Sequence, residues 1–233
     1  MNSYQRPYPS ATYGARPAPA LVQQLLIGAF GWMFAGLLLT AGVAFLVSTS
    51  VTLTDTTSQV ILPVILGQFI LAMALSFGIN KLSPMVSLAL FFVYAASMGL
   101  TIGLIVQVYT AGSVAGAFVA SSAMFAAAAV YGKVTQRNLA TLGSMAFMAL
   151  IGVLVASVVN LFVGFSALNW IISVVGVGVF VVLTAWDVQR IVNGQLAAVM
   201  KSAERASVFA AFQLYLDFIN LFLFLLRLLG SRR

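Results

Sequence analysis

Seven long apolar runs, separated by short connectors that carry Gly, Pro, Asn and Ser, make up almost all of the chain after residue 20. They lie at Leu21 to about Ser48, Val60–Ile79, Met85–Tyr109, Val114–Gly132, Thr141–Val163, Asn169–Gln189 and Ala206–Leu229. Each approaches or exceeds the roughly 20 residues, at about 1.5 Å of rise each, that a helix needs to cross about 30 Å of hydrocarbon. The runs are too long for barrel strands and do not alternate in polarity, which excludes a β-barrel. The pattern predicts an all-α membrane protein, a seven-helix transmembrane bundle over residues 21–230, with six spans plus a re-entrant last segment as the variant. Residues 1–20 hold Pro7, Pro9, Pro17 and Pro19 without apolar periodicity and read as a disordered tail. The first run is longer than the roughly 7–15 residues of a signal-peptide core and reads as a retained span.

Composition narrows the function. Hydrophobic residues fill 62% of the 233 positions and charged residues 6%, against about 25% charged in a soluble domain, so lipid is the first partner. A net charge of +7 raises the question of nucleic acid, but the eleven basic residues fall one or two at a time between apolar runs, as loop charges do. No nucleic-acid partner is expected. The absence of Cys and His removes thiolate chemistry and the commonest zinc ligand, and no cofactor is expected.

The basic residues also predict an orientation. Arg6, Arg16, Lys81, Lys133, Arg137, Arg190, Lys201 and Arg205 all fall on the side of the amino terminus, whereas the opposite connectors between spans hold only Asp55. The positive-inside rule then puts the amino terminus in the cytoplasm. Arg227, Arg232 and Arg233, the last two in a basic carboxyl-terminal tail at 231–233, would lie outside if the last segment spans fully.

Four acids occur in the whole chain, and one of them, Asp217, sits near the middle of the last apolar run. Facing lipid, an ionised carboxylate there would cost roughly 2.5–3.5 kcal/mol, so it must face protein or water. Gln213, Asp217 and Asn220 fall at i−4, i and i+3 and form a polar stripe on one helix face. On the sixth run Thr184, Asp187 and Arg190 are spaced by three, flanked by Trp186 and Gln189. Asp187 can pair with Arg190 at i,i+3. If the seventh helix began at Ala206, Asp217 would lie about 16 Å deeper than Asp187, so the two can meet only if the sixth helix sits deeper than the pattern draws it or the seventh starts near Gln213. The lone amides Gln68, Gln107 and Asn160 are expected to tie helices together, and the Gly99/Gly103 and Gly112/Gly116 spacings to admit close helix approach.

The segments Trp186-Asp-Val-Gln189 and Leu214-Tyr-Leu-Asp-Phe-Ile-Asn220, with the run to Gly230, resemble the end of the Bax inhibitor-1 family, which includes bacterial YccA-like proteins. Gly31-Trp-Met-Phe-Ala-Gly-Leu-Leu-Leu-Thr-Ala41 resembles its first span. The resemblance implies a seven-helix bundle whose last helix is central, in a bacterial inner membrane. It also implies a pH-sensitive calcium leak, gated by a hydrogen-bonded aspartate pair on the last two helices, here Asp187 and Asp217. Trp186 and Val188 stand where relatives carry Tyr and Thr. An arginine near the end of the second helix engages the pair in leak-forming relatives; the nearest cation here is Lys81. Bacterial relatives are also linked to a membrane-anchored quality-control protease, so a non-transporting regulator is the alternative function.

On the leak reading, two carboxylates sharing a site hold one proton between them, and its loss makes them repel. Calcium takes about six to eight oxygens, and Asp187 and Asp217 with Asn220, Thr184, carbonyls and water would make only a weak, transient site. Thr184, Arg190, Gln213, Asn220 and Lys81 are the expected supports of the pore or gate. No enzyme activity is expected, because the aspartate that an intramembrane aspartyl protease carries in Gly-x-Gly-Asp here follows Leu214-Tyr-Leu.

Overall fold

A computed structural model describes residues 18–200 and 202–233 of the chain. Residues 1–17, with Arg6 and Arg16 and most of the tail read at 1–20, lie outside the described residues, as does Lys201.

The helices are α1 Pro19–Thr49, α2 Val51–Gly78, α3 Pro84–Gln107, α4 Ala111–Val134, α5 Ala140–Val163, α6 Ser166–Val192, the short α7 Gln195–Met200 and α8 Ala203–Leu229. All but α7 are long and apolar enough to cross a membrane. The last segment is a full-length helix, so the re-entrant variant is set aside. Three contacts fix the alternation of the passes. Gln189, near the end of α6, bonds the α4–α5 connector, and the Arg205 side chain at the start of α8 reaches the Asn80 carbonyl in the α2–α3 turn. At the other face Arg233 N–H donates to the Val108 carbonyl and Thr110 N–H to the Ser231 carbonyl, both at 3.1 Å. The carboxyl-terminal residues are therefore laced to the α3–α4 connector. The face carrying the start of α1 is called the basic face below.

α8 is the axis of the bundle: it packs on α1, α6, α4 and α3, and α7 lies against both α6 and α8. Its face from Ala206 to Leu226 is largely buried. α2 leans on α3 and α1, and α5 on α6, so each turns most of its apolar surface outward. Exposed residues such as Phe69, Phe77, Leu161 and Phe162 are what a bilayer covers.

Two boundaries depart from the hydrophobic pattern. α2 begins at Val51, nine residues before Val60, and only Ser50 separates it from α1. Its first turns, Thr-Leu-Thr-Asp-Thr-Thr-Ser, are polar and invisible to hydropathy. Several of their hydroxyls bond backbone carbonyls: Thr54 reaches back to Val47 of α1 at 2.7 Å and to Ser50 at 3.0 Å, Thr56 bonds Thr52 and Ser58 bonds Asp55. Asp55 is thus an exposed helical residue rather than a loop charge. The second departure is α7, too short to register as an apolar run.

The glycine spacings split. A side chain at Gly99 or Gly103 would run into Val43 and Val47 of α1 and into its backbone carbonyls, so this pair does let α1 and α3 approach closely. Gly112 and Gly116 face open space. The expectation of close approach within this chain is corrected for them, because the matching ridge of another helix is absent on that side of α4.

Two of the three amides tie helices together as expected. Gln68 of α2 donates to Ser97 O and Thr101 Oγ1 of α3, at 2.8 and 2.9 Å. Gln107 of α3 donates to Thr54 Oγ1 of α2 at 2.7 Å, whereas Asn160 accepts from Phe165 N–H, five residues on at the start of α6, and so closes the α5–α6 turn.

Candidate functional site

The two intramembrane acids sit where the most buried helices meet. Asp187 is 5% exposed on α6 and Asp217 4% exposed on α8. They lie within electrostatic reach of each other, and the Thr184 hydroxyl stands beside the Asp217 carboxyl. Thr184 itself donates to the Phe180 carbonyl at 2.7 Å, so its one proton is already directed back into α6. Asp217 Oδ2 is buried with no hydrogen-bond partner, as is Gln213 Oε1 one turn earlier. Buried polar atoms without partners are uncommon, and a carboxyl oxygen is among the costliest.

The last helix does not start near Gln213 but at Ala203, and α6 runs on past Gln189 to Val192. Asp187 lies five residues before the end of α6, about 7.5 Å, whereas Asp217 lies fourteen residues into α8, about 21 Å. They become neighbours because α8 starts well beyond the end of α6. Its projecting first turns are buried against α1, with Ser207 seated over Gly28. A turn at Asn193-Gly194, where Gly194 takes a φ of 67°, and then α7 carry the chain out to that starting point.

The cation at the site is Arg190. Its Nη1 donates to Asp187 Oδ1 at 3.1 Å, and the guanidinium lies 4.7 Å from the Trp186 ring centroid. Trp186 in turn fills a notch on α5: a Cβ on Gly143 would collide with the indole. Gln189, one turn along, accepts from Leu139 N–H and donates to the Arg137 carbonyl, each at 2.8 Å. The basic end of α6 is therefore clamped to the start of α5, and the acid–guanidinium pair inherits that placement.

Lys81 is exposed in the turn after α2, and the acid's ion pair is made by Arg190 from its own helix. The physical reason is reach, since an arginine one turn along the same helix needs no movement of α2. Gln213 and Asn220 are half-buried along one seam of α8, and the Asn220 amide donates to the Leu216 carbonyl of its own helix. Among the described residues no group of three or more Asp, Glu, His or Cys comes together as a metal site. Two carboxyls with a hydroxyl and amides can hold a proton or attract a cation in passing, without the donor set for tight binding.

The sequence pattern of the family described as Inhibitor of apoptosis-promoting Bax1 matches residues 22–233. The chain is 43% identical over 218 residues to Inner membrane protein YbhL of Escherichia coli, covering 91% of this chain and 93% of that one. It is 42% identical over 212 residues to an uncharacterized protein of Deinococcus radiodurans, with 91% and 92% covered. A Borreliella burgdorferi protein is 40% identical over 215 residues, with 90% and 93% covered. This integral membrane protein, with its central last helix and its acids on α6 and α8, belongs to the Bax inhibitor-1 family.

Proposed function

We propose that this chain is a pH-responsive cation leak of the bacterial inner membrane, amino terminus in the cytoplasm, with Asp187 and Asp217 as its gate. The observation that supports the reading is the orphaned Asp217 Oδ2, buried beside a second carboxyl in the middle of the bundle. Such an atom calls for a proton or a passing cation. In the closed state one proton is shared across the pair. Its loss leaves two negative charges in a low-dielectric interior, which drives α6 and α8 apart. Arg190 offsets one of those charges, and among the described residues no other ion pair is made at the two acids: Glu204 and Arg205 lie at the far start of α8, and Lys81 is in its exposed turn. The opened site offers carboxylates, Thr184 and Asn220 as oxygen donors, too few for tight calcium binding and suited to passage. Neither enzyme activity nor a cofactor enters this reading.

The test is calcium entry into liposomes that hold the purified protein and a calcium-sensitive dye, followed from about pH 6 to pH 8, the span a buried carboxyl pair can reach. Entry should rise with pH. Asp217→Asn should abolish most of that dependence while leaving the protein folded. No entry above empty liposomes at any pH would reject the leak and favour the regulator of a membrane protease.

A further inference from the structure

α4 and α5 each pack on α6 and leave a crevice of about 380 Å³ between them. Its floor is Val181, Val182 and Ala185 of α6, and its walls include Met124 and Ala127 of α4 and Leu142 of α5. The lining is almost wholly apolar, apart from Tyr131 near its basic end. From Met124 to Lys133 is nine residues, about 13.5 Å of helix. Along α4 the lining runs from Met124 to Tyr131, and Lys133 lies two residues beyond it, so the crevice and the turn above it together span about one leaflet of hydrocarbon, half of roughly 30 Å.

The connector that joins the two walls closes the crevice at the basic face, and it carries charge of one sign. Lys133 in the last turn of α4 and Arg137 on the connector are both exposed, and neither makes a salt bridge among the described residues. No acid occurs anywhere between Asp55 and Asp187. The connector is also held in place, by the two hydrogen bonds of Gln189 to Arg137 O and Leu139 N–H. An apolar slot beneath two exposed cations that make no salt bridge among the described residues matches a lipid with an anionic headgroup.

We propose that this crevice binds an anionic phospholipid, with one acyl chain along Val181, Val182 and Ala185 and its phosphate held by Lys133 and Arg137. Tyr131 sits where an interfacial aromatic meets the headgroup region. The lipid would fill the gap that α4 and α5 leave over α6, against the cluster of Ala128, Leu139 and Ala185 on which Trp186 packs.

Trp186 is the natural reporter. In the full-length protein with Trp32→Phe and Trp170→Phe it becomes the sole indole, and lipids brominated on the acyl chain quench it on contact. In mixed phosphatidylglycerol–phosphatidylcholine vesicles, brominating the phosphatidylglycerol should quench Trp186 more than brominating an equal fraction of phosphatidylcholine. Lys133→Gln and Arg137→Gln should each lower that preference by about fivefold. Ala127→Phe, which fills the slot from an exposed position, should reduce quenching by both lipids. Equal quenching by the two lipids would overturn the proposal, as would a preference that survives K133Q/R137Q. Native mass spectrometry of the unsubstituted protein, offered the same two lipids, provides the reading free of any folding defect; retention of phosphatidylglycerol over phosphatidylcholine is expected, and equal retention again overturns it.

Discussion

The Tyr215 hydroxyl meets Thr40 Oγ1 at 2.7 Å in the centre of the bundle, and Thr40 in turn faces the Ala95 carbonyl at 2.8 Å and the Gly36 carbonyl at 3.0 Å. Thr40 has one proton and two carbonyls to give it to, so Tyr215 is the donor in the pair. This relay joins α8, α1 and α3 beneath a set of edge-to-face rings, Phe91 and Tyr94 on Phe212 and Tyr215. Tyr215→Phe keeps the rings and removes the donor, and should destabilise the protein by about 1 kcal/mol, read as a lower melting temperature in detergent. Thr40→Val should cost a similar amount, and the double variant less than the sum. Full additivity would mean that the two hydroxyls do not act on each other.

The glycine pairs give an internal control. Gly99→Leu or Gly103→Leu forces α3 off α1 and should cost about 1–3 kcal/mol or prevent assembly. The same change at Gly112 or Gly116 meets open space and should leave the melting temperature within the range of surface substitutions. Equal damage at both pairs would show that Gly112 and Gly116 pack against a second protein in the membrane.

Much of the fold was legible in the chain because the bilayer leaves so few options. Seven runs of spanning length are seven helices, and the amides at Gln68, Gln107 and Asn160 found partners because lipid offers none. What hydropathy missed was polar or short: the hydroxyl-rich start of α2 around Asp55, and α7. The site was only half legible. Spacing put Asp187, Thr184 and Arg190 on one face, and it put Asp217 on a polar stripe. The meeting of the two acids depended on how far α8 projects past α6, which no pattern within either helix encodes. The Asp187–Arg190 pair was legible because it lies within one helix at i,i+3, whereas Gly112 was given a partner it lacks, since spacing reports a face but not its neighbour.

Orientation is tested directly. A cytoplasmic reporter fused after Arg137, in the α4–α5 connector, should be active, and one that works only outside the membrane should be active when inserted at Asp55. The opposite pattern would invert the bundle and with it the side on which Lys133 and Arg137 meet lipid.

The last prediction concerns Arg190, whose guanidinium lies between an acid and an aromatic face. It offsets the charge of Asp187 and is steadied by Trp186, which Gly143 seats on α5. Arg190→Gln removes the cation that pairs with Asp187 while keeping a hydrogen-bonding side chain. Ionising both carboxyls then becomes costlier, so on the leak reading calcium entry should begin at higher pH than in the unchanged protein. Arg190→Lys keeps the charge but loses the planar stacking on Trp186, and should restore most of the pH profile while loosening the pair. Trp186→Leu removes the stacking surface without touching either charge. It should shift the profile less than Arg190→Gln, in the same direction, because the guanidinium is then less firmly held near Asp187. A merely structural role for Arg190 would lower protein yield and melting temperature in all three variants and leave the pH at which entry begins unchanged, and that outcome would remove Arg190 from the gate.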